Sequence, residues 1–245
     1  MFDRSAMSNE IFVTNFVDLH EALKPFRKNQ IWVFRGQKSD PAWRLRPKAG
    51  RDLLAIPDQN LFRAWKRYAV SREEGLSYKS DWDWLALAQH YGLPTRLLDW
   101  TVNPLVATYF AVKQSGNSDG AIYAFYQRGS VDVGLAREPQ QDGHPNQPEP
   151  FDTTNIQKIK PRYITSRLLA QDGIFTIHNP PELALEENLE DHQKLIKIII
   201  DKNCLEELRV DLSYYGINEK TMFPDLGGLS DYMSWWYHPD YFHEE

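Results

Sequence analysis

The sequence predicts an α+β fold: one domain with a mixed sheet and helices around it. Three observations lead to this class. Of the 245 residues, 42% are hydrophobic and 13% aromatic, ample for a single well-formed core. Stretches of helical and of strand periodicity interleave irregularly, without the strict alternation that builds a doubly wound parallel sheet. Neither an internal repeat nor a low-complexity tract divides the chain.

The elements follow in order. Thr14 is placed to cap a helix running to about Phe26, with Phe16, Leu19, Leu23 and Phe26 on one face. Ile31 to Phe34 is a short apolar strand ended by Gly36. Asp58 opens a second helix, where Leu61, Phe62, Trp65 and Ala69 recur at helical spacing. Asp81 opens a third, carrying Trp84, Leu85 and Ala88 to Tyr91, and Gly92 with Pro94 stops it. Residues 92–101 form a helix-strand-helix junction. Asn103 and Pro104 then read as a cap and a first-turn proline, opening a helix to about Gln114.

Ala121 to Tyr126 returns as a strand. Residues 134–152 lack an apolar period and hold four prolines, the pattern of a loop with lid-like character. Beyond it lie a strand at Ile156–Ile159, a short helix near Tyr163–Ala170, and strands at Ile174–Ile177 and Lys194–Ile200. Asn203 with Glu206 reads as a capping box for a helix to about Tyr215, and the remainder, including Trp235 and Trp236, as docked helix.

Composition bounds the function. No apolar run approaches the ~20 residues of a membrane span, and the N-terminus lacks a charged-then-apolar leader. One cysteine, Cys204, excludes an internal disulfide and a cysteine metal cage. The expectation is a cytoplasmic protein with no membrane contact and no metal. The net charge of −6 argues against bulk nucleic-acid binding, but it is unevenly placed. From Arg27 to Arg51 eight basic residues face one acid, Asp40, whereas from Asp201 to Glu245 ten acids face three bases. The basic stretch suits phosphates, or it is a solvated face balanced by the acidic end.

Chemistry concentrates in two places. Arg35 leaves the first apolar strand with a glycine behind it and Gln37 beyond, a planar five-donor fork suited to phosphate or carboxylate. The alternative is an ion pair to Asp99. The junction itself carries Thr95, Arg96, Asp99 and Thr101, donors and an acceptor close enough to grip a polar ligand. They equally suit helix capping, with Leu97, Leu98 and Trp100 as core. His90 ends a helix and is either a packing residue or a base. Gln171 and His178 flank the strand Ile174–Ile177, reaching either a ligand or neighbouring backbone. No glycine-rich phosphate loop and no H-E-x-x-H pattern occurs, which sets aside P-loop hydrolysis and zincin chemistry.

The runs Phe34-Arg35-Gly36 and Gln89 to Pro104, then Ala107 with Tyr109-Phe110-Ala111, closely resemble the FRG domain, a family called after its Phe-Arg-Gly tripeptide. Gln171 to Thr176 and Phe223-Pro224-Asp225-Leu226 resemble its remaining motifs. The likeness divides the chain into an N-terminal helical extension, 1–30, and an FRG domain, 31–245, with docked C-terminal helices. It implies a mostly prokaryotic setting of mobile elements and phage conflict.

A looser similarity, to the first two motifs of ADP-ribosyltransferases, implies NAD as substrate. Arg35 would hold the ribose-phosphate region, and Thr95 or Thr101 would support the nicotinamide pocket. Gln171 falls nearest the position of that family's glutamate. Glutamine carries no full charge for an oxocarbenium ion, so the resemblance implies that Asp99 or a more distant carboxylate supplies it.

The leading expectation is therefore a nucleotide- or NAD-binding effector. Asp99, Gln171 and His90 would sit at the reacting bond. Arg35, Gln37, Thr95, Arg96, Thr101 and His178 would hold the substrate, with a macromolecule or water as acceptor. A second reading is a recognition module for nucleic acid or a phage component, using Arg27–Arg51 with Trp32 and Trp43. A third is a nuclease built on His90, Asp99 and His178.

Overall fold

The computed structural model describes residues 10–28, 31–72, 80–133 and 149–239. The proline-rich loop expected at 134–152 lies outside the described residues except for its last four positions. The elements are β1 (Ile11–Val13), α1 (Phe16–Leu23), a 3-10 turn (Lys24–Lys28), β2 (Trp32–Lys38), α2 (Lys48–Arg51), α3 (Asp58–Ala69) and α4 (Asp81–His90). There follow β3 (Leu97–Thr101), α5 (Pro104–Ser115), β4 (Gly120–Tyr126), β5 (Val131–Asp132), β6 (Asn155–Lys160), α6 (Ser166–Ala170) and β7 (Gly173–Asn179). The chain continues through β8 (Lys194–Ile200), α7 (Leu205–Tyr214), α8 (Glu219–Met222) and α9 (Leu226–Trp236).

The strands form one mixed sheet in the order β1-β8-β4-β2-β3-β7-β6-β5, parallel only at its two edges. The predicted α+β class is what the chain adopts. The segment expected as a helical extension also supplies β1, whose Ile11 to Val13 pair with Ile198 to Ile200. That three-residue strand is too short to show a period in the sequence.

The centre of the sheet decides where a ligand can go. β2 pairs with β4 along all seven residues, but with β3 at one position, Phe34 opposite Thr101. The sheet is thus two four-stranded halves touching at a single bridge. Cross-strand partners share a face, so Phe34, Thr101, Asp99, Phe175 and Ile177 look to one side. On that side two separate apolar clusters lie over the two halves. One packs α1, α5 and α7 against β2, β4 and β8, around Leu19, Phe34, Tyr109, Ile122 and Leu208. The other packs α3 and α4 against β3 and β7, around Phe62, Trp84, Leu97 and Ile177. The opposite face carries a third cluster spanning both halves, with Val33, Leu98, Trp100, Phe125 and Ile174.

Several local signals differ from the sequence expectation for identifiable reasons. Asn15, not Thr14, caps α1, its Oδ1 accepting from Asp18 N at 2.9 Å, while the Thr14 hydroxyl donates to the Asp18 carboxylate. Gly36 does not end β2, which runs on to Lys38. The Asn203–Glu206 capping box is absent. Asp201 caps a 3-10 turn ahead of α7, and Glu206 accepts from Trp235 Nε1 at 2.7 Å, tying α9 to α7. The short helix before β7 begins at Ser166, capped by Thr165. Pro104 and Asn103 open α5 as expected, Asn103 Oδ1 accepting from Leu105 N.

Candidate functional site

Between α4 and α5 the parted sheet leaves a cleft of about 220 Å3. Its floor is Phe34 and Gly36 of β2 with Asp99 and Thr101 of β3. One wall is Gln89 and His90 of α4, the other Val106, Ala107 and Phe110 of α5, and Arg167 and Gln171 close the end. Each side chain arrives there by a short chain of causes.

Arg35 is held at the parting itself. Its Nη1 donates to the main-chain carbonyl of Asp99 at 2.9 Å, and its Nε donates to Gln37 Oε1 at 3.2 Å. Extending the β2–β3 register sets Gly36 opposite Asp99, so the guanidinium takes a carbonyl that a continuous ladder would give to a backbone N–H. Burial holds the Arg35 pKa below the usual arginine value, and the nearby Asp99 charge works against that shift. The expected Arg35–Asp99 contact therefore exists, but to the backbone and not the carboxylate.

The Asp99 carboxylate faces the cleft. Its Oδ1 accepts from Gln89 Nε2 at 2.6 Å, and Gln89 Oε1 in turn accepts from the Thr95 hydroxyl. Thr95 is buried and orients Gln89 without reaching the cleft. Among the described residues Asp99 has no ion pair, and it is exposed. Thr101 lines the cleft, its Oγ1 accepting from Asn103 N at 3.0 Å. Gln171 donates from Nε2 to Met222 O at 3.0 Å, which anchors α8 to the same end of the cleft.

His90 is half-buried. Desolvation first, then the Arg167 charge, lower its pKa, while Asp225 opposes them, so the ring is neutral at neutral pH. Arg167 lies over the Phe223 ring at 4.5 Å and makes no ion pair among the described residues.

Other expected site residues go elsewhere. Arg96 is sealed in a two-pronged ion pair with Asp58 of α3, at 2.8 and 2.7 Å, and its guanidinium stacks on Phe151 at 4.5 Å. Both partners are over nine-tenths buried, so Arg96 joins α3 to the entry of β3 and is not open to a ligand. His178 lies on the opposite face from Asp99, because the two-residue period of β7 turns Thr176 and His178 away from Phe175 and Ile177. There Trp100 Nε1 donates to Thr176 Oγ1 at 3.0 Å, Thr176 contacts His178 Nε2 at 2.9 Å, and His178 Nδ1 meets Leu183 O at 2.7 Å. Buried so, His178 has its pKa lowered to about 4. A nuclease site of His90, Asp99 and His178 does not assemble. Gln37 shares that opposite face and donates to Trp43 O at 2.6 Å, acting on the cleft only through Arg35.

The basic stretch Arg27–Arg51 is not one surface either. Arg44 pairs with Glu186 and Glu187, Lys38 with Asp40, and Lys48 donates to Gly92 O. Trp32 packs against Phe26 and Tyr126, while Trp43 lies under Lys38.

Sequence reasoning missed Gln89 and Arg167. Gln89 sits beside His90 inside a motif it had already singled out. Arg167 lies in a five-residue helix that offers no pattern of its own.

Residues 30–120 match the FRG domain family. Over this stretch the chain is similar to the FRG domain. The matched stretch contains the tripeptide Phe34–Gly36 and the whole Gln89–Pro104 run, and so both sides of the parted sheet. Arg167 and Gln171 line the cleft from beyond that stretch. No curated protein and no solved structure matches the chain. Among the described residues no three His, Cys, Asp or Glu side chains are grouped to hold a metal ion. No helix among them is long and apolar enough to cross a membrane.

Proposed function

We propose that the FRG cleft seats the nicotinamide-ribose end of NAD and cleaves its glycosidic bond. One observation carries the reading: a carboxylate without an ion pair among the described residues, Asp99, and two guanidiniums, Arg35 and Arg167, line one small cleft at the parting of the sheet. At about 220 Å3 the cleft is below the ~300–1,000 Å3 usual for a whole ligand. It suits one ring and its sugar, with the phosphates toward Arg35 at the parting and Arg167 at the end.

In this scheme the bond between ribose C1′ and the nicotinamide nitrogen breaks, and its electron pair leaves with nicotinamide. Asp99 stabilises the positive charge that develops on the ribose, a part that Gln171 is too weakly charged to play. Gln171 hydrogen-bonds a ribose hydroxyl through its side-chain oxygen. An oxygen or nitrogen nucleophile, from water or a macromolecule, bonds to C1′ and passes its proton to neutral His90. A prokaryotic conflict role follows the FRG family setting and belongs to the same proposal.

The test is nicotinamide release from NAD by the purified chain. Asp99→Asn keeps shape and removes charge, so turnover should fall by about 10²-fold or more while NAD still binds. Arg35→Ala should weaken NAD binding. Neither binding nor turnover in the unaltered protein would end the reading.

A further inference from the structure

A larger hollow of about 910 Å3 opens at the other side of the Phe34–Thr101 bridge, where β3 has ended and β2 has not yet begun to pair with it. Its lining differs in kind from that of the cleft. Basic groups on it are His20, Arg27, Lys158 and Lys160, and among the described residues no aspartate or glutamate lines it, in a chain whose net charge is −6. The rings of Phe26, Trp32 and Tyr163 give it flat apolar faces, and the first turn of the twelve-residue α5 opens on it through Asn103, Pro104 and Leu105.

Lys158 is the decisive group. It is 5% exposed, and its Nζ donates to two main-chain carbonyls, Ile31 O at 3.1 Å and Gln127 O at 2.6 Å. It has no ion pair among the described residues, and burial alone lowers its pKa. A buried ammonium without a counter-charge is costly. Two carbonyls leave it one donor, and an anion in the hollow supplies both the missing bond and the missing charge. Around it, Arg27 donates from Nη2 to His20 Nδ1 at 3.1 Å, and Lys160 is more than half exposed, 4.0 Å from Asp132. Cations and flat rings together match a phosphate attached to an aromatic base.

We infer that this hollow is a second site, separate from the FRG cleft, that binds a nucleoside phosphate. The ligand is either a free nucleotide or the phosphorylated end of a nucleic-acid strand. The site stands whether or not the cleft turns over NAD.

Calorimetric titration of the full chain with ADP and with a short 5′-phosphorylated oligothymidylate tests it. Three proteins are compared: the unaltered chain, the double variant Arg27→Glu with Lys160→Glu, and Arg35→Ala. Arg27 and Lys160 are exposed, so the double variant should keep its fold, which a thermal melt verifies. At least one probe should bind. Its affinity should fall about tenfold or more in the double variant, stay unchanged in Arg35→Ala, and weaken between about 50 and about 200 mM salt. Tighter binding of the oligonucleotide identifies a strand end as the source, and equal or tighter binding of ADP identifies a free nucleotide. Failure of both probes to bind overturns the inference. So does binding that Arg35→Ala abolishes and charge reversal leaves intact, since the ligand would then lie in the cleft.

Discussion

A side chain's neighbours and its face of the sheet decide what it can do, and the two histidines of this chain show both. His90 ends α4 at the edge of the cleft, while His178 points into the opposite face and is fully buried. Sequence offered the same symbol for each. Which face a β7 residue takes depends on register, and a shift of one residue would have exchanged His178 with Ile177.

The burial of His178 has a consequence for stability. Its folded-state pKa of about 4 lies below the ordinary 6.5, so between these values the unfolded chain binds more protons than the native one. The contribution is complete above about pH 6.5 and is lost as pH falls toward 4, amounting to roughly 3 kcal/mol. Urea midpoints of the native chain and of His178→Gln, followed over that range, should therefore converge as pH falls. A gap between them that stays constant would show that His178 is not the group responsible.

At the level of elements, the tripeptide that marks this family is explained by packing as much as by chemistry. A Cβ placed on Gly36 would sit 1.7 Å from Ala107 O and 2.6 Å from Ala111 N, both backbone atoms of α5. Glycine here lets a helix lie directly on a strand, with Ala107 and Ala111 as the small residues facing it. What approaches Gly36 so closely is the backbone of α5. Arg35 and Gly36 thus divide the work, since alternation sends one toward the parting and the other under α5.

Because backbone cannot step aside as a flexible side chain can, Gly36→Ala must push α5 off β2. It should cost at least ~3 kcal/mol, the upper range of overpacking, or prevent folding. A thermal melt displaced by less than the equivalent of ~0.5 kcal/mol would contradict this packing. The long periodic elements, α3, α4, α5 and β4, could be read from sequence because each fills several turns or pairs. Among those that could not were three-residue β1, four-residue α2, two-residue β5, the cap of α7 displaced by a 3-10 turn, and β2 beyond its glycine.

Over the whole molecule, the arrangement that makes a site is the incomplete joining of two half-sheets, and no local sequence pattern encodes it. Strand count and class follow from periodicity, but the number of bridges between β2 and β3 depends on how α4 and α5 hold the halves apart. What joins the halves is therefore specific. The third apolar cluster underlies both, the Phe34–Thr101 bridge and the Arg35 bond to Asp99 O cross the parting, and Lys158 reaches from β6 to carbonyls beside β2 and β4. β4 is by contrast locked between complete ladders to β2 and β8.

Such a sheet should open first at its seam, as a partial unfolding that leaves each half intact. Amide hydrogen exchange is expected to be at least tenfold faster at Thr101, whose N–H points across the seam, than at Ile122 to Phe125, on the order of 1.4 kcal/mol or more in opening free energy. Lys158→Met keeps the length of the side chain and removes its two bonds to the far half. It should speed exchange at Thr101 further while leaving Ile122 to Phe125 unchanged. Uniform exchange across β3 and β4, or a variant that accelerates both alike, would mean that the eight strands open as one unit and that the parting is no seam.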